Sequence, residues 1–147
     1  MKRILAAVDG SETALKALDF AARLAAETKA ELTVLAVTQE MPISDEALRE
    51  YAKAEHLATA WGDLSEARAT EILSAAEARV PAGGARVHPE WRVGDPAAEI
   101  LRFAKEAGAD AIVMGHTGHS RIAGVLLGSV AFKVVTLAAC PVVVVPA

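Results

Sequence analysis

Glycines, histidines and a serine are concentrated between positions 115 and 129, where the sequence reads GHTGHSRIAGVLLGS. Glycines let the main chain approach a phosphate without an intervening side chain. The stretch follows an apolar run and enters a helical pattern at Gly128 and Ser129, and a helix N-terminus offers N–H groups and a favourable dipole to an anion. The spacing predicts a phosphate-binding loop. The alternative is that the glycines only shape a turn.

Asp9 and two histidines are further candidate ligand-binding side chains. Asp9 ends an apolar run and precedes Gly10 and Ser11, so it either contacts a ligand or caps the following turn; we expect a ligand contact. His116 and His119 have no carboxylate or thiolate at matching spacing, which argues against a metal site built from protein side chains alone. A divalent ion held mainly by phosphates is the metal that we expect.

Several common catalytic and nucleotide signatures are missing. The sequence has no G-x-G-x-x-G after its first apolar run and no G-x-x-x-x-G-K-[ST], which argues against dinucleotide-binding and P-loop enzymes. Ser11 follows a glycine outside the G-x-S-x-G pattern, and no base can be assigned to it. We therefore expect a binding protein without catalytic residues.

Short apolar runs alternate with helical patterns along the whole chain. Strands are predicted at 4–8, 32–37, 86–93, 111–114 and 141–145, and helices follow the first four of them. Ser11 and Asp95 are predicted N-caps, with Pro96 at the first helical position. The helical pattern over 45–79, with its stripe of Leu48, Tyr51, Ala58, Trp61 and Leu64, is too long for a small sheet, so we expect a break near Gly62.

Five strands in alternation with helices predict an open parallel sheet with helices on both faces. Pro89 cannot donate a ladder hydrogen bond, so the third strand is predicted at an edge of the sheet. The glycine-rich stretch then leaves the carboxyl end of the fourth strand, the edge at which such sheets bind ligands.

Composition narrows the class of protein. The 147 residues are 53% hydrophobic and carry a net charge of −4, which fits a single domain over 1–147 with a real core and argues against a nucleic-acid partner. Cys140 is the one cysteine, so an intramolecular disulfide and a multi-thiolate zinc site are excluded. No apolar run is long enough for a membrane span or a signal peptide, and we expect a cytoplasmic protein.

The spacing of Gly115, Gly118, Gly128 and Ser129 resembles the ATP-binding signature of universal stress proteins. The segments 4–12, 93–96, 109–115 and 140–145 resemble the same family in the same order. This resemblance implies a five-stranded sheet in the order 3-2-1-4-5, with the nucleotide between the ends of strands 1 and 4.

The resemblance also implies roles for individual residues. Asp9 and Val37 would contact the adenosine part, and Met114 and Gly115 would line the pocket floor. Ribose and phosphates would lie against four residues: Gly118, Gly128, Ser129 and Val130. A common form of the motif has a basic residue where this sequence has Thr117, which we include among the nucleotide-binding residues. The implied cofactor is ATP, AMP or ADP, and the metal that would accompany it is Mg²⁺ bound to the phosphates.

The implied function is a nucleotide-dependent stress-response regulator with little or no catalysis. Two alternatives stay open: an enzyme of the adenine nucleotide α-hydrolase type, and a family member that acts only through protein contacts. The fifth strand is flat, β-branched and uncharged. In the third strand, Arg86, Pro89 and Arg92 disfavour pairing with another chain. In the order 3-2-1-4-5 the fifth strand is an edge strand, and proteins usually protect an edge strand of this kind from pairing with another chain. We therefore expect a homodimer through the fifth strand, as the resemblance also implies.

Overall fold

The structure is a computed structural model that describes residues 1–39, 54–117 and 127–147. Strands and helices alternate along these ranges. They are β1 (Arg3–Val8), α1 (Glu12–Thr28), β2 (Glu31–Thr38), α2 (Ala54–Arg79), β3 (Val87–Val93), α3 (Pro96–Ala107), β4 (Ala111–Gly115), α4 (Ser129–Leu137) and β5 (Val142–Val145).

The five strands form one parallel sheet in the order β3-β2-β1-β4-β5. In the centre, Leu5 of β1 is in register with Thr33 of β2 on one side and Ile112 of β4 on the other. The predicted fold class, strand order and edge position of the Pro89 strand are confirmed. The order places the carboxyl ends of β1 and β4 side by side, where the direction of winding reverses.

Each face of the sheet carries its own apolar cluster. Alternating side chains such as Ile4 and Ala6 of β1 pack under α1 and α2, and the intervening Leu5 packs under α3 and α4. The helix contributions are mostly alanine, as in the run Ala17, Ala21, Ala22 and Ala25 of α1. Small side chains let the helices lie close to the strands, which suits a sequence with only 4% aromatic residues.

Side chains fix where the helices begin after the strands. Ser11 Oγ accepts a hydrogen bond from Ala14 N at 3.2 Å, and an Asp95 carboxylate oxygen accepts from Ala98 N at 3.0 Å. Both N-cap predictions are confirmed. At the other end of α3, Gly108 adopts the left-handed conformation with φ of 65°, which glycine adopts without strain.

Asp110 anchors the beginning of β1 to the beginning of β4. Its Oδ2 accepts hydrogen bonds from Lys2 N at 2.7 Å and Arg3 N at 2.9 Å. These two bonds hold the pKa of the Asp110 carboxyl below its usual value. A lowered pKa in the folded state means that this contribution to stability is present at neutral pH and is lost on acidification through the folded pKa.

The predicted break near Gly62 is wrong, because α2 runs without interruption from Ala54 to Arg79. A helix of 26 residues is about 39 Å long, whereas the 8 residues of β2 span about 27 Å. The helix extends beyond the sheet instead of breaking. Gly62 is exposed, with no atom within 4 Å of a Cβ built on it, and one exposed helical glycine costs only about 1 kcal/mol.

The predicted apolar stripe of α2 also needs correction. Leu64 is 66% exposed, and between positions 60 and 79 the buried residues are Ser65, Ala69, Ile72 and Ala76. Leu48 and Tyr51 lie outside the described residues, as does the side chain of Ala58. In the part of the chain that the structure describes, no helix is both long and apolar enough to cross a membrane.

The continuity of α2 can be tested with Gly62→Ala. Alanine at an exposed helical position has open space here and a better helix propensity, so the free energy of unfolding should rise by about 1 kcal/mol in urea titrations. Gly83→Ala is the matched control: its Cβ also meets open space, but φ is +81°, and left-handed strain should lower stability by about 1 kcal/mol. Destabilisation by Gly62→Ala would contradict a continuous helix.

Candidate functional site

A cavity of about 440 Å³ opens at the carboxyl ends of β1, β2 and β4. Strand ends form its floor, the N-terminus of α4 forms one side, and α1, α2 and α3 each contribute one or two residues. The lining residues are Ala7, Val8, Asp9, Ala14, Leu35, Val37, Thr38, Gln39, Arg68, Ile72, Pro96, Ile100, Met114, Gly115, His116, Thr117 and Gly128 to Ala131.

Nearly all of the predicted site residues come together around this cavity. Those that line it are Asp9, Val37, Met114, Gly115, Thr117, Gly128, Ser129 and Val130. Gly118 lies outside the described residues, as do His119 and the rest of the loop as far as position 126. The structure therefore brings distant parts of the chain into one site, and contact with a nucleotide stays a prediction for each of these residues.

Asp9 both caps a turn and lines the cavity. Its Oδ1 accepts a hydrogen bond from Ser11 N at 2.9 Å, which closes the turn through Gly10, where φ is 86°. The turn places the carboxylate at the end of β1, beside the start of α1. The two roles that we set against each other in the sequence are compatible, because one carboxylate oxygen is enough to cap the turn.

Gly115 is required by the packing of α1. A Cβ at this position would lie 2.7 Å from Thr13 Cγ2 and 3.1 Å from the Thr13 carbonyl. Thr13 is in the first turn of α1 and is buried. The glycine thus lets α1 approach the end of β4, an explanation that does not involve a ligand.

Main-chain hydrogen bonds hold the residue after Gly115 in place. His116 N donates to Val145 O at 3.0 Å, and Gly128 N donates to His116 O at 2.6 Å. The first bond extends the pairing of β4 with β5, and the second ties the strand end to the start of α4. His116 and Thr117 therefore have a fixed position at the cavity.

Two buried polar atoms at this position have no hydrogen-bond partner among the described residues. They are His116 Nδ1 and Thr117 Oγ1, and Thr117 is only 7% exposed. A buried polar atom left without a partner costs about 1 to 3 kcal/mol. Because both residues line the cavity, a polar ligand atom would remove this cost.

The N-terminus of α4 also lines the cavity. Its N-cap, Gly128, has extended dihedral angles and makes no side-chain cap hydrogen bond. The N–H groups of the first helical turn have no acceptor within the helix itself, and the helix dipole favours negative charge at this end. This arrangement suits an anionic group of a ligand.

Several cavity residues were not predicted from the sequence. Leu35, Ile72 and Ile100 form apolar walls, and Arg68 adds a guanidinium from α2. Alternation along β2 places Leu35 on the same face as Val37, so that residue had a detectable signal. The contributions of α2 and α3 depend on how those helices cross the sheet, which no local pattern indicates.

Two other residues with charged or nucleophilic side chains lie outside the cavity lining. Lys133 is exposed on α4. Cys140 is half-buried, and burial raises the pKa of its thiol, which disfavours the reactive thiolate. Within residues 1–39, 54–117 and 127–147, no three His, Cys, Asp or Glu side chains are grouped closely enough to hold a metal ion.

A family model described as the universal stress protein family matches residues 1–146. The chain belongs to this family. The universal stress protein YxiE of Bacillus subtilis is 36% identical to it over 144 residues, which cover 97% of both proteins. The family to which the glycine spacing pointed is thereby confirmed.

Solved structures of universal stress proteins and similar chains share the fold. Hypothetical protein MJ0577 superposes with a TM-score of 0.84 at 29% identity, over 99% of this chain and 96% of that chain. A universal stress protein in complex with cAMP superposes with a TM-score of 0.74 at 27% identity, over 98% of this chain and 96% of that chain.

Gly115→Ala should destabilise this universal stress protein whether or not a ligand is present. The added Cβ forces α1 away from β4, and overpacking of this kind lowers the free energy of unfolding by about 1 to 3 kcal/mol in urea titrations. Gly62→Ala is the control, because a Cβ at Gly62 meets no atom within 4 Å and should not destabilise the protein. A Gly115→Ala variant as stable as the wild type would show that the contact with Thr13 does not restrict this position.

Proposed function

We propose that this universal stress protein is a regulator that binds an adenine nucleotide (ATP, AMP or ADP) in the cavity, with little or no catalysis. The observation that carries the proposal is the buried Thr117 hydroxyl, which lines the cavity and has no partner among the described residues. A ligand with polar atoms at this position would satisfy the hydroxyl and His116 Nδ1 together.

The shape and chemistry of the cavity support a nucleotide in particular. Apolar side chains of Val37, Ile100 and Met114 offer a surface for a flat base. The start of α4 offers N–H groups and a favourable dipole to phosphate. The similar structure in complex with cAMP supports an adenine nucleotide as the ligand class. Mg²⁺, if it takes part, would be held mainly by the phosphates.

Little or no turnover is part of this proposal. The titratable groups among the described lining residues are Asp9, Arg68 and His116, and one Asp9 oxygen is already engaged by Ser11 N. Release of AMP from ATP at ordinary enzyme rates, above about one per second, would instead favour an α-hydrolase-type enzyme.

Thr117→Val tests the nucleotide site. Valine has nearly the shape of threonine without the hydroxyl, so the free protein should be as stable as the wild type or more stable by about 1 kcal/mol. Nucleotide affinity should fall about tenfold, since one hydrogen bond is lost. Urea titration measures the first quantity, and isothermal titration calorimetry with ATP and AMP measures the second.

The matched control is Thr33→Val, on β2 and outside the cavity lining, which should leave nucleotide affinity unchanged. If the wild-type protein shows neither calorimetric binding nor a thermal shift with any adenine nucleotide, the proposed function is wrong. In that case the alternative of a family member that acts only through protein contacts becomes the better hypothesis.

We also propose that two copies pair through β5. This strand pairs with β4 on one side only, and its four valines are half-buried. On α4, which packs against β5, Phe132 is 60% exposed and Val135 is 46% exposed. Antiparallel pairing of two β5 strands would extend the sheet and bring the two α4 helices together, so this apolar surface would be covered.

Phe132→Glu should shift the dimer to monomer in light scattering, because a carboxylate would be brought into the apolar contact between the α4 helices. Leu64→Glu is the matched control, since Leu64 is equally exposed but lies on α2, and it should leave the dimer intact. Val143 and Val145 are unsuitable positions because both pack against the core under α1. A wild-type monomer at high micromolar concentration would contradict the pairing.

A further inference from the structure

The cavity-facing part of α2 is held at two points. Ile72 packs into the core cluster under α1 and also lines the cavity. About three turns closer to the N-terminus of the helix, Trp61 Nε1 donates a hydrogen bond to Gln39 O at 3.1 Å, just after the end of β2. Residues between these two points are therefore fixed relative to the cavity.

Arg68 lies between the two points. It is one turn from Ile72, so the two side chains project from the same side of α2, and both line the cavity. The neighbouring Ser65 and Ala69 are buried, whereas Arg68 is exposed. Arg68 is thus an exposed residue of the cavity lining, carried by a rigid element.

Arg68 differs in charge from the other groups around the cavity. The described lining residues include one carboxylate, Asp9, and one guanidinium, Arg68. Asp9 repels a phosphate group, whereas main-chain N–H groups and the dipole of α4 supply only partial charges. Arg68 supplies a full positive charge, and its planar fork matches two oxygens of a phosphate.

We propose that Arg68 contacts a phosphate of the bound nucleotide and makes the cavity selective for nucleotides over nucleosides. This inference rests on the proposed nucleotide binding and adds to it the residue that recognises the charged part of the ligand. The base and ribose would bind without Arg68, and the phosphate contact would add affinity.

Calorimetric titration with adenosine, AMP and ATP tests the inference. Arg68→Gln should weaken AMP and ATP binding about tenfold, since a charge-assisted contact is lost, and should leave adenosine binding unchanged. The affinity of Arg68→Lys for AMP and ATP should lie between those of the wild type and Arg68→Gln, because lysine keeps the positive charge but not the planar fork. The matched control is Arg86→Gln. This substitution removes the same charge just before β3, at the amino ends of the strands, whereas the cavity lies at their carboxyl ends.

The outcomes separate this inference from the proposed function. Equal loss of adenosine and AMP affinity in Arg68→Gln would indicate a structural role and overturn the inference, as would unchanged AMP affinity. Both results leave nucleotide binding by the wild-type protein intact. A wild-type protein that binds none of the three compounds overturns the proposed function and the inference together.

Discussion

The cavity exists where it does because the first turn of α1 packs directly on the main chain at the end of β4. Gly115 permits this contact, since a Cβ there would lie 2.7 Å from Thr13 Cγ2. β1 and β4 are paired in the sheet, so their ends lie side by side. The chain that continues past β4 is then held by the hydrogen bonds of His116 to Val145 and Gly128. The polar side chains at the cavity are therefore placed by packing and main-chain pairing.

Rigid placement has a consequence for stability. His116 and Thr117 present buried polar atoms that lack partners among the described residues, and the hydrogen bonds of His116 N and His116 O fix the main chain at this position. A ligand that satisfied these two atoms would restore stability that the free protein lacks. Its binding would then stabilise the folded protein through mass action.

The length of α2 adds a wall that the sheet alone does not provide. Because α2 is longer than the strand it packs on, its first half extends past the sheet, where Trp61 bonds to Gln39. Ile72 and Arg68 then face the cavity. An apolar side chain and a cation one turn apart suit a ligand with an apolar base and an anionic group.

The sequence by itself determined the fold class and the helix starts at Ser11 and Asp95, because short-range patterns carry these features. The strand order came from the family resemblance. The family resemblance also implied strand-end residues of the cavity such as Val37 and Met114, and the glycine spacing indicated that the ligand site follows the fourth strand. Only the tertiary structure decided that α2 continues through Gly62, and that Arg68 and Ile72 reach the cavity. Those features depend on where a helix lies relative to the sheet, which is settled by long-range packing rather than by propensity.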